Sequence, residues 1–246
     1  MEIWAETIAE AHEKVVKVIY QDGEELITED GEITIEWAPN DPVVIHVKSP
    51  FKQPMVSDVC RFGEQMMDAY VEQLLKLHPP SETSATYYYS NRLFDYPTLE
   101  CNTDGPCGKE YYYLGDGCGD GINQIYWSII RRLSMNPNSR RAMAITWVPD
   151  IDISSNEPPC LQLIQGFIRD NKLHMTCYFR SNDMLSAWGA NAYGLTYLMQ
   201  YVVDKINEYV ERHITIGTLT TISSSAHIYW KRDKHELDQF RRKLNV

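Results

Sequence analysis

Residues 161–180 read LQLIQGFIRDNKLHMTCYFR. Two apolar-rich arms, Leu161 to Arg169 and Leu173 to Arg180, flank Asp170-Asn171. Asp-Asn is a compact turn signal, so the segment predicts two strands joined by a tight turn. Downstream, Asn191 to Tyr209 predicts a long, mostly apolar, central helix, and Ile214–Ile222 and Ala226–Trp230 predict short strands. Upstream, Ala142 to Val148 predicts a strand and Ile122 to Leu133 a helix ending at Asn136-Pro137.

Nearer the N-terminus, Ile8, Ala11, Val15, Val18 and Ile19 repeat at the helical period and predict a helix over Trp4–Tyr20, broken at Gln21-Asp22-Gly23. Ile33–Trp37 and Val43–Val47 alternate as strands do, with a turn through Pro39-Asn40-Asp41-Pro42. Ser57–Leu77 predicts a second helix, with Asp58 as cap and Pro79-Pro80 as stop. Asp95–Asp120 is a long Gly-, Tyr- and Cys-rich insertion, expected to be a loop with a small hairpin at Tyr111–Tyr113. Helices and strands mix without a regular βαβ beat. The expectation is therefore an α+β chain, a single domain over 1–246 with a mixed, largely central sheet packed by helices.

Composition narrows the function. The 246 residues carry a formal charge of −11, which argues against a nucleic-acid polymer as partner, because such binding runs on Lys and Arg displacing counterions. No run of 18 apolar residues occurs and no export signal is visible at Met1-Glu2-Ile3-Trp4. A cytoplasmic protein without membrane contact is expected, its six cysteines reduced. Cys101, Cys107 and Cys118 lack the paired spacing of a zinc site, so no metal is expected.

Three segments carry chemistry. Pro158-Pro159-Cys160 places a thiol on a chain of restricted φ. Near arginines, such a thiol is expected to have a lowered pKa and to act as a nucleophile; an inert buried Cys is the alternative. Asn136-Pro137-Asn138-Ser139-Arg140-Arg141 presents two guanidinium groups, suited to a phosphate or simply solvated. Arg180-Ser181-Asn182-Asp183, followed by Asn191, gathers a cation, a hydroxyl, a carboxylate and an amide within twelve residues. Helix capping by Ser181 or Asp183 accounts for one of these, not the set.

Together the segments resemble the thymidylate synthase and pyrimidine nucleotide hydroxymethylase superfamily. The resemblance rests on Ser139-Arg140-Arg141, Trp147-Val148-Pro149, Pro158-Pro159-Cys160, Arg180-Ser181-Asn182-Asp183, Asn191 and Ala226-His227-Ile228-Tyr229. Spacing agrees: nineteen positions from Arg141 to Cys160, twenty to Arg180 and eleven more to Asn191. It covers roughly Ser84 to Trp230, and the chain is most similar to the short archaeal-type thymidylate synthases. Leu161 departs from the pattern where many members have His, and Phe179 where many have Gln. No arginine lies between Gln21 and Asp30, where larger members have one for phosphate.

The resemblance implies a thymidylate synthase-like fold and transfer of a one-carbon unit from 5,10-methylenetetrahydrofolate, or a related reduced pterin, to C5 of dUMP. By the same resemblance Cys160 is the nucleophile at C6. Arg180 binds the nucleotide phosphate and steadies the thiolate. Ser181 supports the phosphate, as do Arg140 and Arg141 reaching from the neighbour in a homodimer with shared active sites. His227 and Tyr229 hold the ribose, Asn191 reads the base, Asp183 and Trp147 serve the pterin, and Tyr89 assists proton removal at C5. Glu64 is the candidate catalytic glutamate, with Asp68 and Glu72 nearby on the same predicted helix. Two alternatives remain: a dUMP or dCMP hydroxymethylase, in which water captures the methylene, and a nucleotide-binding homologue without catalysis.

Overall fold

The computed structural model describes all residues except 38–40, 59, 61–62, 79–84, 106–107 and 245–246, and no side chains over 100–113 or at 244. The expected stop at Pro79-Pro80 and part of the turn at Pro39-Asn40 lie outside the described residues.

The Asp170-Asn171 turn is present, with φ of 51° and 57° at its two residues. These are the left-handed values a two-residue hairpin demands. It joins β8 (Leu161–Arg169) to β9 (Lys172–Asp183). The 20-residue helix α6 (Trp188–Asn207) then returns the chain to β10 (Thr215–Tyr229), which lies parallel to β9. The sequence suggests two short strands here, but the three serines Ser223–Ser225 do not interrupt β10. Ser223 is paired on both edges, by β9 and by β4 (Val43–Val47), Ser225 pairs with Ser181 of β9, and β3 (Ile33–Glu36) takes over the β4 edge from His227.

The main sheet runs β1-β4-β10-β9-β8-β7, where β1 is Glu2–Ala5 and β7 is Met143–Ile145; β2 (Glu24–Ile27) extends it through β3. It is mixed, since β1–β4 and β9–β10 are parallel and the other pairs antiparallel. Register decides its faces. Ile3, Ile45, Thr221, Cys177, Ile164 and Ala144 form one row across six strands, all buried beneath the helices. The next row, Trp4, His46, Thr220, Thr176, Gln165 and Met143, points the other way, and among the described residues no helix covers it. Trp4 is half exposed there.

Helix α1 spans Ile8–Asp22, not Trp4–Tyr20, because Thr7 caps it by accepting the Glu10 N–H at 3.2 Å. Trp4 instead belongs to β1. Helix α2 (Glu64–Leu75) begins after Gly63, so Asp58 is not its cap; Asp58 pairs with Lys243 at 3.0 Å. Helix α3 (Tyr89–Phe94) leads into the insertion, which is a hairpin of β5 (Thr98–Gly105) and β6 (Gly108–Leu114). At its base Asp95 accepts the N–H groups of Gly117, Gly119 and Gly121 at 2.6–2.8 Å. The helix expected over Ile122–Leu133 is a π-helical stretch, Ile125–Ile130, running into α4 (Arg131–Met135). Among the described residues, three helices were not foreseen in the sequence. They are α3, α5 (Pro149–Asp152), which follows the stretch expected as a strand over Ala142–Val148 and found as the shorter β7, and α7 (Lys234–Leu244).

Candidate active site

Cys160 immediately precedes β8, and its carbonyl accepts the Arg180 N–H at 2.9 Å across the β8–β9 ladder. The Arg180 side chain donates from Nε to the Pro159 carbonyl at 3.1 Å and from Nη2 to the Pro158 carbonyl at 2.8 Å. One arginine thus holds the backbone that carries the thiol. Behind it, the Leu161 N–H donates to the Tyr89 hydroxyl at 3.1 Å, which places the start of α3 against the start of β8. The two departures from the family pattern face each other: Leu161 and Phe179 are register partners, both buried.

The thiol departs from expectation. Burial pushes the Cys160 thiol above its ordinary value; Arg180 pulls it down and Asp183 adds to the rise. Desolvation of the thiolate outweighs the cation, so a lowered pKa does not hold for this state of the chain. Three phenols share the enclosure. Tyr87 and Tyr89 stand with ring centroids 5.4 Å apart, and burial raises both, together with Tyr70 on α2. The Tyr70 hydroxyl donates to Asn191 Oδ1 at 2.6 Å. Asn191 is not the cap of α6: the helix starts at Trp188, and the Asn191 N–H donates to Ala187 O at 2.9 Å.

The parallel register of β9 and β10 aligns the remaining polar groups. Ser181 pairs with Ser225, and Asp183 with His227. His227 Nδ1 lies 3.5 Å from both the Ser181 and Ser225 hydroxyls. Burial holds the His227 imidazole below its usual range, against the pull of Asp183 and Glu36. Its ring meets Tyr229 edge-on at 4.9 Å. Asp183 Oδ1 accepts the N–H groups of Leu185 and Ser186, each at 3.1 Å, and Oδ2 pairs with Arg232. Asp183 thus closes the turn ahead of α6, whose N-cap is Ala187, so the helix capping expected of Ser181 or Asp183 does not hold.

Not every expected residue joins this cluster. Arg140 and Arg141 are exposed ahead of β7. The Arg140 carbonyl is bonded by Gln165, five residues along β8 from Cys160, or roughly 15–20 Å. Glu64 is the exposed first residue of α2, while Asp68 bonds the Tyr193 hydroxyl at 3.0 Å. Trp147 is half-buried, and its carbonyl accepts from the Tyr96 hydroxyl at 2.7 Å. Sequence reasoning missed Tyr70, Tyr87, Arg232 and Ser225. Tyr87 was visible in the Tyr87-Tyr88-Tyr89 run and Arg232 three residues beyond Tyr229, but their partners are distant in sequence.

A held thiol, a backbone-clamping arginine, an amide oriented by a phenol and a Ser-His-Tyr row suit covalent chemistry on a planar, hydrogen-bonding base. The comparisons agree. The sequence profile of the thymidylate synthase family matches residues 65–245. The chain is 36% identical to a Methanocaldococcus jannaschii protein over 232 residues, 92% of this chain and 90% of that one. It is 32% identical to a Methanosarcina barkeri protein over 225 residues, 92% of this chain and 88% of that one. Both carry the name "Putative thymidylate synthase". With the profile spanning most of the chain and the site built on the strands that carry its motifs, this protein belongs to the thymidylate synthase family.

Proposed function

We propose that the protein converts dUMP to dTMP, taking the one-carbon unit and a hydride from 5,10-methylenetetrahydrofolate or a related reduced pterin. The observation that carries this reading is the Cys160–Arg180–Tyr89 cluster, joined through Tyr70 to Asn191. The Cys160 sulfur adds to C6 of the pyrimidine, and the electron pair released toward C5 makes that carbon a nucleophile for the one-carbon unit. Loss of the C5 proton, assisted by Tyr89, breaks the bond from the one-carbon unit to the pterin nitrogen and leaves an exocyclic methylene on C5. Hydride from the released reduced pterin adds to that methylene as the sulfur leaves C6, which restores the ring double bond and gives a methyl group, an oxidised pterin and the free thiolate. Ser181 and Arg180 face the phosphate, and His227 and Tyr229 the ribose. Asn191 reads uracil: the Tyr70 hydroxyl fixes its Oδ1, leaving Nδ2 to donate to O4 while Oδ1 accepts from N3–H. Cytosine presents the reverse pattern at both positions.

The uncovered sheet face supports a homodimer. A second row on it, Val44, Ile222, Tyr178, Leu163 and Ile145, is almost wholly apolar. A six-strand face on which no helix of the described residues packs is the kind of surface that a second copy covers. Arg180 lies on the same side as Tyr178, two residues along β9. Arg140 and Arg141 then serve the phosphate site of the neighbouring copy. The test is incubation with dUMP or dCMP and methylenetetrahydrofolate, with the product identified by mass. dTMP from dUMP is expected. A 5-hydroxymethyl product would replace this reading with hydroxymethylation, and binding without turnover would remove catalysis.

A further inference from the structure

We propose that Arg232 is a positioning residue that fixes the Asp183 carboxylate for the pterin co-substrate and offsets its charge beside the nucleophilic thiol. This inference rests on the functional reading above and adds a residue that no motif in the sequence marks.

Arg232 lies just past β10. Its Nε donates to Asp233 Oδ1 at 2.8 Å and its Nη2 to Asp233 Oδ2 at 2.7 Å, while Nη2 also pairs with Asp183 Oδ2. Asp233 is fully buried and accepts the Ser186 hydroxyl at 2.8 Å, so the fork is anchored to the turn that Asp183 caps. The guanidinium carbon stands 3.8 Å from the Tyr229 ring centroid, which adds cation–π attraction. Stacking from one side and a bidentate carboxylate from another leave the guanidinium little freedom.

The consequence for Asp183 is countable. A carboxylate offers about four lone-pair directions. Leu185 and Ser186 take two on Oδ1 and Arg232 takes one on Oδ2. Among the described residues one acceptor direction remains, on Oδ2, set by Arg232. A pterin N–H donor fits that direction. Asp183 is also the group whose charge raises the Cys160 thiol. Among the described residues, the groups facing that thiol are Arg180, Asp183 and the phenols of Tyr70, Tyr87, Tyr89 and Tyr229. Among them Asp183 is the carboxylate, and Arg232 is its counter-ion.

The test compares wild type with Arg232→Gln and Arg232→Lys. It measures the dUMP dissociation constant by calorimetry, the KM for methylenetetrahydrofolate, and the pH profile of Cys160 alkylation by iodoacetamide without nucleotide. Arg232→Gln is expected to raise the co-substrate KM about tenfold, the scale of one charge-assisted hydrogen bond, while dUMP binding moves less than about threefold. Its alkylation midpoint moves to higher pH. Arg232→Lys, which keeps the charge but not the fork, restores the alkylation midpoint and only part of the KM. Equal losses for nucleotide and co-substrate, or an alkylation profile unchanged in Arg232→Gln, would overturn the proposal. Failure of the functional reading is distinguishable, since it shows as a wild-type protein that does not bind dUMP, whereas alkylation tests Arg232 with no nucleotide present.

Discussion

Removing the Tyr70 hydroxyl tests how the base is read. In Tyr70→Phe the ring stays and the 2.6 Å hydrogen bond to Asn191 Oδ1 is lost. Leaving this part-buried acceptor unpaired falls at the low end of the penalty, about 1–1.5 kcal/mol, which corresponds to roughly 5- to 12-fold in an equilibrium or rate ratio. The second effect is on specificity. Without the phenol, the Asn191 carboxamide is free to turn over and present its donor and acceptor in exchanged positions. That arrangement suits cytosine. The kcat/KM for dUMP is therefore expected to fall by about tenfold while that for dCMP stays level or rises. Asn191→Asp should shift the same ratio toward dCMP, because a carboxylate accepts from both the Tyr70 hydroxyl and the cytosine amino group. The assay is the kcat/KM ratio for the two nucleotides in wild type, each single variant and the double variant. Since Tyr70 acts through Asn191, the two effects should be strongly non-additive. A ratio unchanged in Tyr70→Phe, or two effects that simply add, would show that this hydrogen bond does not orient the reading group.

Cys160→Ser should abolish turnover and leave nucleotide binding largely intact by calorimetry, because a hydroxyl is a far poorer nucleophile; more than a few per cent residual activity would remove Cys160 from the mechanism. Because burial outweighs Arg180 at the thiol, alkylation of wild-type Cys160 in the free protein should reach half its maximal rate above the ordinary thiol value of about 8.5, and Arg180→Ala should move that point higher still. Mixing Cys160→Ser protein with Arg140→Ala/Arg141→Ala protein should restore activity through heterodimers carrying one intact site; confirmed subunit exchange with no recovery would refute the shared site. Arg92 and Asp152 form a buried pair at 3.2 Å, with side chains 1% and 3% exposed, so Asp152→Ala should cost about 3 kcal/mol and lower Tm by about 10 °C in a thermal melt. Asp116, 3.8 Å from Arg92, keeps that cost at the low end of the range for a broken buried pair.

What the sequence showed and what it hid divide along physical lines. The 161–180 hairpin was legible because its signal is local: two apolar runs and an Asp-Asn turn that tolerates left-handed backbone. Helix α6 was legible because most of its faces are buried, which produces a long apolar run. β1 was hidden because Trp4 continues the apolar spacing of α1, and only the Thr7 cap separates them. Helix α7 was hidden because, among its described side chains, it buries just Leu237 and Phe240 in a charged segment. The continuity of β10 was hidden because serines are poor strand formers alone and are held here by neighbours distant in sequence.

The same division runs through the site. Cys160, Arg180, Ser181, Asp183 and His227 sit at or near strand ends, where motif and fold coincide, so their order and spacing were informative. Tyr70 and Arg232 act through another residue, and the residue they act on is far away: 121 positions separate Tyr70 from Asn191, and 49 separate Arg232 from Asp183. No local period marks such pairs, because what selects them is the approach of α2 to α6 and of the end of β10 to the end of β9. The orientations of the Asn191 amide and of the Asp183 carboxylate, which the proposed function assigns to the base and the pterin, are thus properties of tertiary packing. A substitution at Tyr70 or Arg232 should accordingly change selectivity, co-substrate affinity or thiol reactivity while leaving the chemistry itself in place. Substitution at Cys160 should do the opposite, and that contrast separates the groups that orient from the group that reacts.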